Sequence, residues 1–110
     1  MLVSYEEAGE VQIAAIEGRI NGSNADELEE TLLALLNKGS QKLVLDFSGV
    51  DYISSAGLRV VLLIAKQTAA ASGTLVLCGM QAGVFEVFEM CGFVDILNID
   101  DTRATALARF

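Results

Sequence analysis

Two adjacent hydroxyls, Ser54 and Ser55, and two carboxylates, Asp46 and Asp51, fall within one stretch, DFSGVDYISSAGLR, running from Asp46 to Arg59. A serine becomes a nucleophile only beside a base that takes its proton. The chain has no His, so neither a Ser-His-Asp nor a Cys-His system can be built within it. Asp46 and Asp51 form a carboxylate pair on paper, but no cleft chemistry accompanies them. Asp46 is better read as an acceptor for backbone N–H groups of its loop. Two chemistries remain for the serines. A hydroxyl at a helix start caps free backbone N–H groups, and the donors and dipole of that end also tolerate a phosphate. By position alone, Ser55 reads as a helix cap.

Other chemistry is thinly supplied. Lacking His, the chain lacks the commonest transition-metal ligand, and Cys78 and Cys91 are too few for a structural zinc site. Both read as small buried apolar residues, with a disulfide between them left open. No phosphate-cradling G-x-x-x-x-G-K-[ST] loop or dinucleotide fingerprint is present. No cofactor and no metal are expected, and no enzymatic activity. Phe85, Phe88, Met90 and Phe93 look like core or a hydrophobic rim.

Charge narrows the partners. The net charge is −8, and the seven cations (Arg19, Lys38, Lys42, Arg59, Lys66, Arg103, Arg109) form no run. Nucleic acid and anionic membrane surfaces both call for a basic face. An acidic surface instead steers association with a basic patch on another protein. The N-terminus, MLVSYEEAGEV, lacks the basic start and apolar core of a signal peptide. The most apolar run, Leu58 to Ala65, falls far short of the roughly 20 residues that span a bilayer. A soluble, cytoplasmic chain is expected, with residues 1–110 forming one domain.

The elements that must position the stretch are legible around it. Residues 11–17, VQIAAIE, predict a buried strand, with Leu2–Tyr5 an edge strand joined to it by a turn in EAGE. Gly18 to Gly22 reads as a connection carrying Arg19 and Asn21. Asn24 to Leu36 predicts a helix with an apolar stripe of Ala25, Leu28, Leu32, Leu35 and Leu36. Ser23 or Asn24 would cap it in a capping box with Asp26 or Glu27. KLVLDF, Lys42 to Phe47, predicts a central strand ending at Asp46, with Ser48-Gly49 turning the chain. A second helix follows over Gly57 to Ala71, stopped by Gly73. Thr74 to Cys78 is a strand and Gln81 to Cys91 a helix with Val84, Phe85 and Phe88 inward. Phe93 to Ile99 reads as a short extended segment. Asp100 or Asp101 would cap a last helix ending near Phe110. Strands alternating with helices imply a largely parallel sheet, and loops leaving the carboxyl ends of its strands are where sites collect.

With these residues placed, LVLDFSGVDYISSAGLRVVLL resembles the signature of STAS domains, specifically of bacterial anti-sigma factor antagonists. These carry a strand with an acid, a short turn, an aromatic-apolar pair, then a small polar pair and Gly-Leu opening a helix. IEGRINGSNADELEETL is similar to that family's second strand, Gly turn and first helix. GTLVLCGMQAGVFEVFEMCGFVDILNI is similar to its later strand and glycine-ended helix. The resemblance implies an α/β, STAS-type fold: a single mixed, largely parallel sheet of about four or five strands with about four helices packed on it.

It also implies a mechanism. Such proteins bind an anti-sigma factor that is also a serine kinase, freeing the sigma factor. The kinase phosphorylates a serine at the start of the second helix, and a serine phosphatase resets the switch. Aligning Gly57-Leu58 with the family's Gly-Leu puts the phosphoacceptor on Ser55, with Ser54 the fallback where relatives carry Asp. The partner-facing residues implied are Arg19, Asn21, Ser54, Ser55, Ala56, Gly57, Leu58 and Arg59. Asn21 stands where many relatives have Asp and Arg19 where some have Glu, so the partner's charge pattern is expected to differ. A plain solvated turn explains Arg19 and Asn21 equally well, and Arg59 reads equally as a simple surface charge. The apolar helix faces could also support a homodimer. A second reading, a stand-alone STAS scaffold or sensor subunit outside sigma control, for example of a lipid or anion transport system, stays open.

Overall fold

The computed structural model of the chain describes residues 1–39 and 41–110. Its elements run β1 (Leu2–Ala8), β2 (Val11–Ile20), α1 (Ala25–Asn37), β3 (Lys42–Ile53), α2 (Ser55–Ala70), β4 (Thr74–Cys78), α3 (Ala82–Met90), a 3₁₀ turn (Phe93–Asp95), β5 (Asn98–Asp100) and α4 (Arg103–Leu107). The five strands form one mixed sheet in the order β1-β2-β3-β4-β5. β1 is antiparallel to β2 and every later pair is parallel. The expected fold class and element order are what the chain adopts.

Both faces of the sheet are covered, so the central strands bury side chains on both sides and read as continuous apolar runs. Leu43, Leu45, Phe47 and Leu77 pack with Leu28 and Leu32 of α1, Val60 and Ile64 of α2, and Phe88 of α3. On the other face Val11, Ile13, Val44, Val76 and Cys78 pack with Ala106 of α4. Burial, with the nearby Asp46 carboxylate, pushes the Cys78 thiol up to about 11, which keeps it protonated and unreactive at neutral pH. Cys91, expected inward, is exposed, and both cysteines are free. Among the described residues no helix is long and apolar enough to cross a membrane.

The main departure lies in β3. Instead of ending at Asp46 and turning at Ser48-Gly49, the strand runs on to Ile53. Pairing with β2 slips twice: Ala15 faces Asp46 but Glu17 faces Gly49, and Gly18 faces Val50 but Arg19 faces Tyr52. Each slip gives β3 one residue more than its partner, which is a β-bulge. The bulges return Phe47, Val50 and Ile53 to the same buried face at a spacing of three. A strand without bulges repeats every two residues, so this segment does not look like one.

Asp46 is therefore mid-strand and buried. Its Oδ1 accepts the Ser48 N–H at 2.9 Å. Its Oδ2 accepts Nε and Nη2 of Arg103 at 3.1 and 2.8 Å. The same guanidinium reaches Glu6 on β1. Arg109 clamps Asp100 of β5 in the same way, at 2.6 and 2.8 Å. A five-residue helix such as α4 is too short to hold itself. Apolar packing and these two arginine forks fix it to the sheet. Its cap is the Thr102 hydroxyl, accepting from the Thr105 N–H at 3.1 Å; the expected cap Asp100 is committed to Arg109.

Elsewhere backbone geometry selects residues other than those the sequence predicts. The segment 93–99 is divided between the 3₁₀ turn and β5, after Gly92 takes a left-handed conformation. β1 is three residues longer than expected because its pairing with β2 continues to Ala8↔Val11. Helix α2 ends in a Schellman arrangement, with Gly73 N–H donating to Thr68 O and Ser72 N–H to Ala69 O. Ser72, not Gly73, takes the left-handed φ of 59°. Gly73 is needed for proximity: a Cβ there would stand 2.3 Å from the Gln41 carbonyl oxygen.

Gly73→Ala is accordingly expected to lower stability by about 1–3 kcal/mol. Gly83→Ala in α3, where an added Cβ meets nothing, should be neutral or gain up to about 1 kcal/mol; urea unfolding of both variants checks the pair. For Asp46, burial opposes ionisation, but the Ser48 N–H and the Arg103 guanidinium outweigh it and hold the carboxyl below its ordinary value. Its stabilising effect is present above the unfolded value of about 3.9 and is lost as pH falls through the lower folded value. Asp46→Asn should be less stable than wild type at neutral pH and show a flatter acid limb, read from urea midpoints between about pH 6 and pH 2.

Candidate functional site

The last β3–β4 pair is Asp46↔Cys78, whereas β2–β3 pairing continues to Ile20↔Ile53. The ends of β2 and β3 thus outrun the neighbouring strand, and the candidate site is built on them. The Ser54 N–H donates to the Ile20 carbonyl at 2.9 Å, closing the pair before the chain turns into α2.

Ser54 and Ser55 divide the work at that turn. Ser54 is extended, with φ −91° and ψ 173°, and its Oγ accepts the Gly57 N–H at 3.3 Å. Ser54 is the N-cap, a role expected of Ser55. Ser55 is instead the first residue of α2 and is exposed. Gly57 allows this start to lie on the strand ends: a Cβ there would meet Ile20 Cγ2 at 2.6 Å and Ile53 Cγ1 at 2.8 Å. Gly57 and Leu58 are buried, so in the free domain they seat the helix and offer no surface. Ala56 is half-buried, and Arg59, one turn further along, is exposed.

Arg19 was expected in a turn; it lies on β2, where the second bulge sets it opposite Tyr52. Its guanidinium carbon sits 4.3 Å from the centre of the Tyr52 ring, a cation–π contact. Asn21 is tied into a polar loop. Its side-chain oxygen accepts from the Ser23 hydroxyl at 2.6 Å and the Ser23 N–H at 3.0 Å, and its N–H donates to Asn24 Oδ1 at 3.0 Å. The Asn24 amide in turn donates to the Arg19 carbonyl at 2.8 Å. With Asn24 turned back in this way, no side chain caps α1, and the capping box expected there does not form. Tyr52 was passed over by sequence reasoning because its segment read as a loop. Its signal was the three-residue spacing of Phe47, Val50 and Ile53, which leaves Tyr52 outward.

Without His, the chain has no imidazole to activate Ser55 as a nucleophile. An exposed hydroxyl at the positive end of a helix, spared from capping, suits phosphorylation. Comparison with known proteins agrees with the architecture. Residues 3–106 match the STAS domain family. The chain belongs to that family.

Among curated relatives of this STAS domain, BtrV of Bordetella bronchiseptica, named as an anti-sigma factor antagonist, is 44% identical over 110 residues, covering 100% of this chain and 95% of BtrV. A Thermotoga maritima protein, named as an anti-sigma factor antagonist by similarity alone, has a crystal structure that superposes with a TM-score of 0.93 at 27% identity, over 97% of this chain and 92% of that one. The anti-sigma factor antagonist SpoIIAA of Bacillus shares the fold at 16% identity, with a TM-score of 0.74. It has been solved unphosphorylated, with 98% of this chain and 96% of that one covered, and phosphorylated, with 98% of each.

The division between the serines is testable by unfolding alone. Ser54→Ala removes the cap and should cost about 1 kcal/mol. Ser55→Ala should stay within about 0.5 kcal/mol of wild type. The reverse order would assign the cap to Ser55.

Proposed function

We propose that this STAS domain is an anti-sigma factor antagonist. It binds an anti-sigma factor that is also a serine kinase, releases the sigma factor, and is switched off when that kinase phosphorylates Ser55. A serine phosphatase restores it. The domain acts in the cytoplasm and catalyses nothing itself. The full-length similarity to a relative named for this role supports the reading. The observation that carries it is local: Ser55 is exposed at the first position of α2 while Ser54 does the capping.

Phosphate adds about −1.5 to −2 charges and three acceptor oxygens. On the exposed start of α2 these face solvent and a favourable helix dipole, so the fold tolerates them. Inside a closed interface the same charge is desolvated against the partner. A penalty of about 2.7 kcal/mol already lowers affinity a hundredfold. Partner exchange then requires no refolding.

Incubation with the host's anti-sigma kinase and ATP, followed by mass spectrometry, is expected to place one phosphate on Ser55. The phosphate should be absent from Ser55→Ala and retained in Ser54→Ala. No phosphate on either hydroxyl would overturn the proposal. Ser55→Asp should weaken kinase binding at least about tenfold with an unchanged circular dichroism spectrum.

A further inference from the structure

Tyr52 is 42% exposed, one of the few large apolar side chains that the described residues leave at the surface. It sits between Val50 and Ile53, which both point into the core, so the bulged strand has no alternative place for it. The ring is not free. Arg19 lies over it at 4.3 Å, and Arg19 is fixed in turn by strand pairing and by the Asn24 amide on its carbonyl. A surface tyrosine already held in place loses less side-chain freedom on binding than a mobile one. Tyrosine and arginine are also the side chains most often found to dominate interface energies.

Charge points the same way. Lys42, Arg103 and Arg109 are engaged by Glu10, by Glu6 with Asp46, and by Asp100. Arg19 has no such carboxylate among the described residues, so its charge is open to an acid from outside. The pair borders the proposed phosphorylation site along the backbone, because Ser54 follows Ile53 and binds the carbonyl of Ile20, the residue next to Arg19.

We infer that Tyr52, held by Arg19, is the anchor by which the anti-sigma factor grips this domain. An apolar pocket on that protein takes the ring, and a carboxylate at the pocket's rim meets the guanidinium. The inference rests on the function proposed above. It adds a residue outside the helix start, and it places the phosphate of Ser55 at the edge of a contact that must be dry to be strong.

The experiment is calorimetric titration of the host's anti-sigma kinase against variants of the unmodified chain. Tyr52→Ala should weaken binding about tenfold or more and Arg19→Ala about three- to tenfold, with the double variant weaker than Tyr52→Ala alone but by less than the product of the two single effects. Tyr52→Phe, which keeps the ring, should bind nearly as wild type. So should Tyr5→Ala, which removes an exposed tyrosine from β1. If Tyr52→Ala fails to fold, Arg19→Ala leaves the ring in place and decides the matter. A kinase that binds wild type, Tyr52→Ala and Arg19→Ala equally overturns this inference alone. One that neither phosphorylates Ser55 nor binds the wild-type chain overturns the proposed function and this inference with it.

Discussion

The site stands where it does because β3 continues past β4, and β3 can continue only by absorbing two bulged residues. A regular strand would alternate its faces strictly, and the spacing of Phe47, Val50 and Ile53 would then send one of them into water. Burying a large apolar side chain contributes about 1.5–3 kcal/mol, so keeping all three inward outweighs the ladder bonds that the bulges disturb. Everything at that end follows from this choice. Arg19 meets Tyr52, the Ser54 N–H meets Ile20, and Gly57 presses the first turn of α2 onto the two strand ends.

This constraint also explains what could be read in advance. Lys42 to Phe47 and Thr74 to Cys78 are apolar in consecutive positions because both sheet faces are covered, and such runs read directly as central strands. The helices were legible from their apolar stripes and glycine stops. The continuation of β3 was not, since its period of three matches neither strand nor helix. Nor was the identity of the cap. Ser54 and Ser55 are chemically equal, and only the extended backbone of Ser54 turns its hydroxyl towards the Gly57 N–H. Arg103 and Asp46 lie 57 residues apart, too far for any local pattern to join them. The resemblance to STAS domains singles out Ser55 as the candidate phosphoacceptor, whereas local reasoning gives it the cap that Ser54 holds.

Electrostatics divides the molecule in two. Over the sheet face that carries α4, cations are consumed in pairs with acids and serve to attach a helix too short to stand alone. Around the ends of β2 and β3, Arg19 is spent on an aromatic ring and Arg59 is left in solvent. An acidic chain with few cations has thus used some to close its own fold and left others at the surface where a partner is proposed to sit.

The clamp on Asp46 has a consequence for how the domain is made. A ribosome delivers Asp46 long before Arg103, and β1 to β4 with their helices are all present before the counter-ion emerges. Until it does, the second face of the sheet has Val44 and Val76 uncovered and a carboxylate among them with no guanidinium to meet it, an expensive thing to bury. The nascent sheet therefore has reason to stay open on that side. On this reasoning the sheet closes on that side only once α4 is available to cover it.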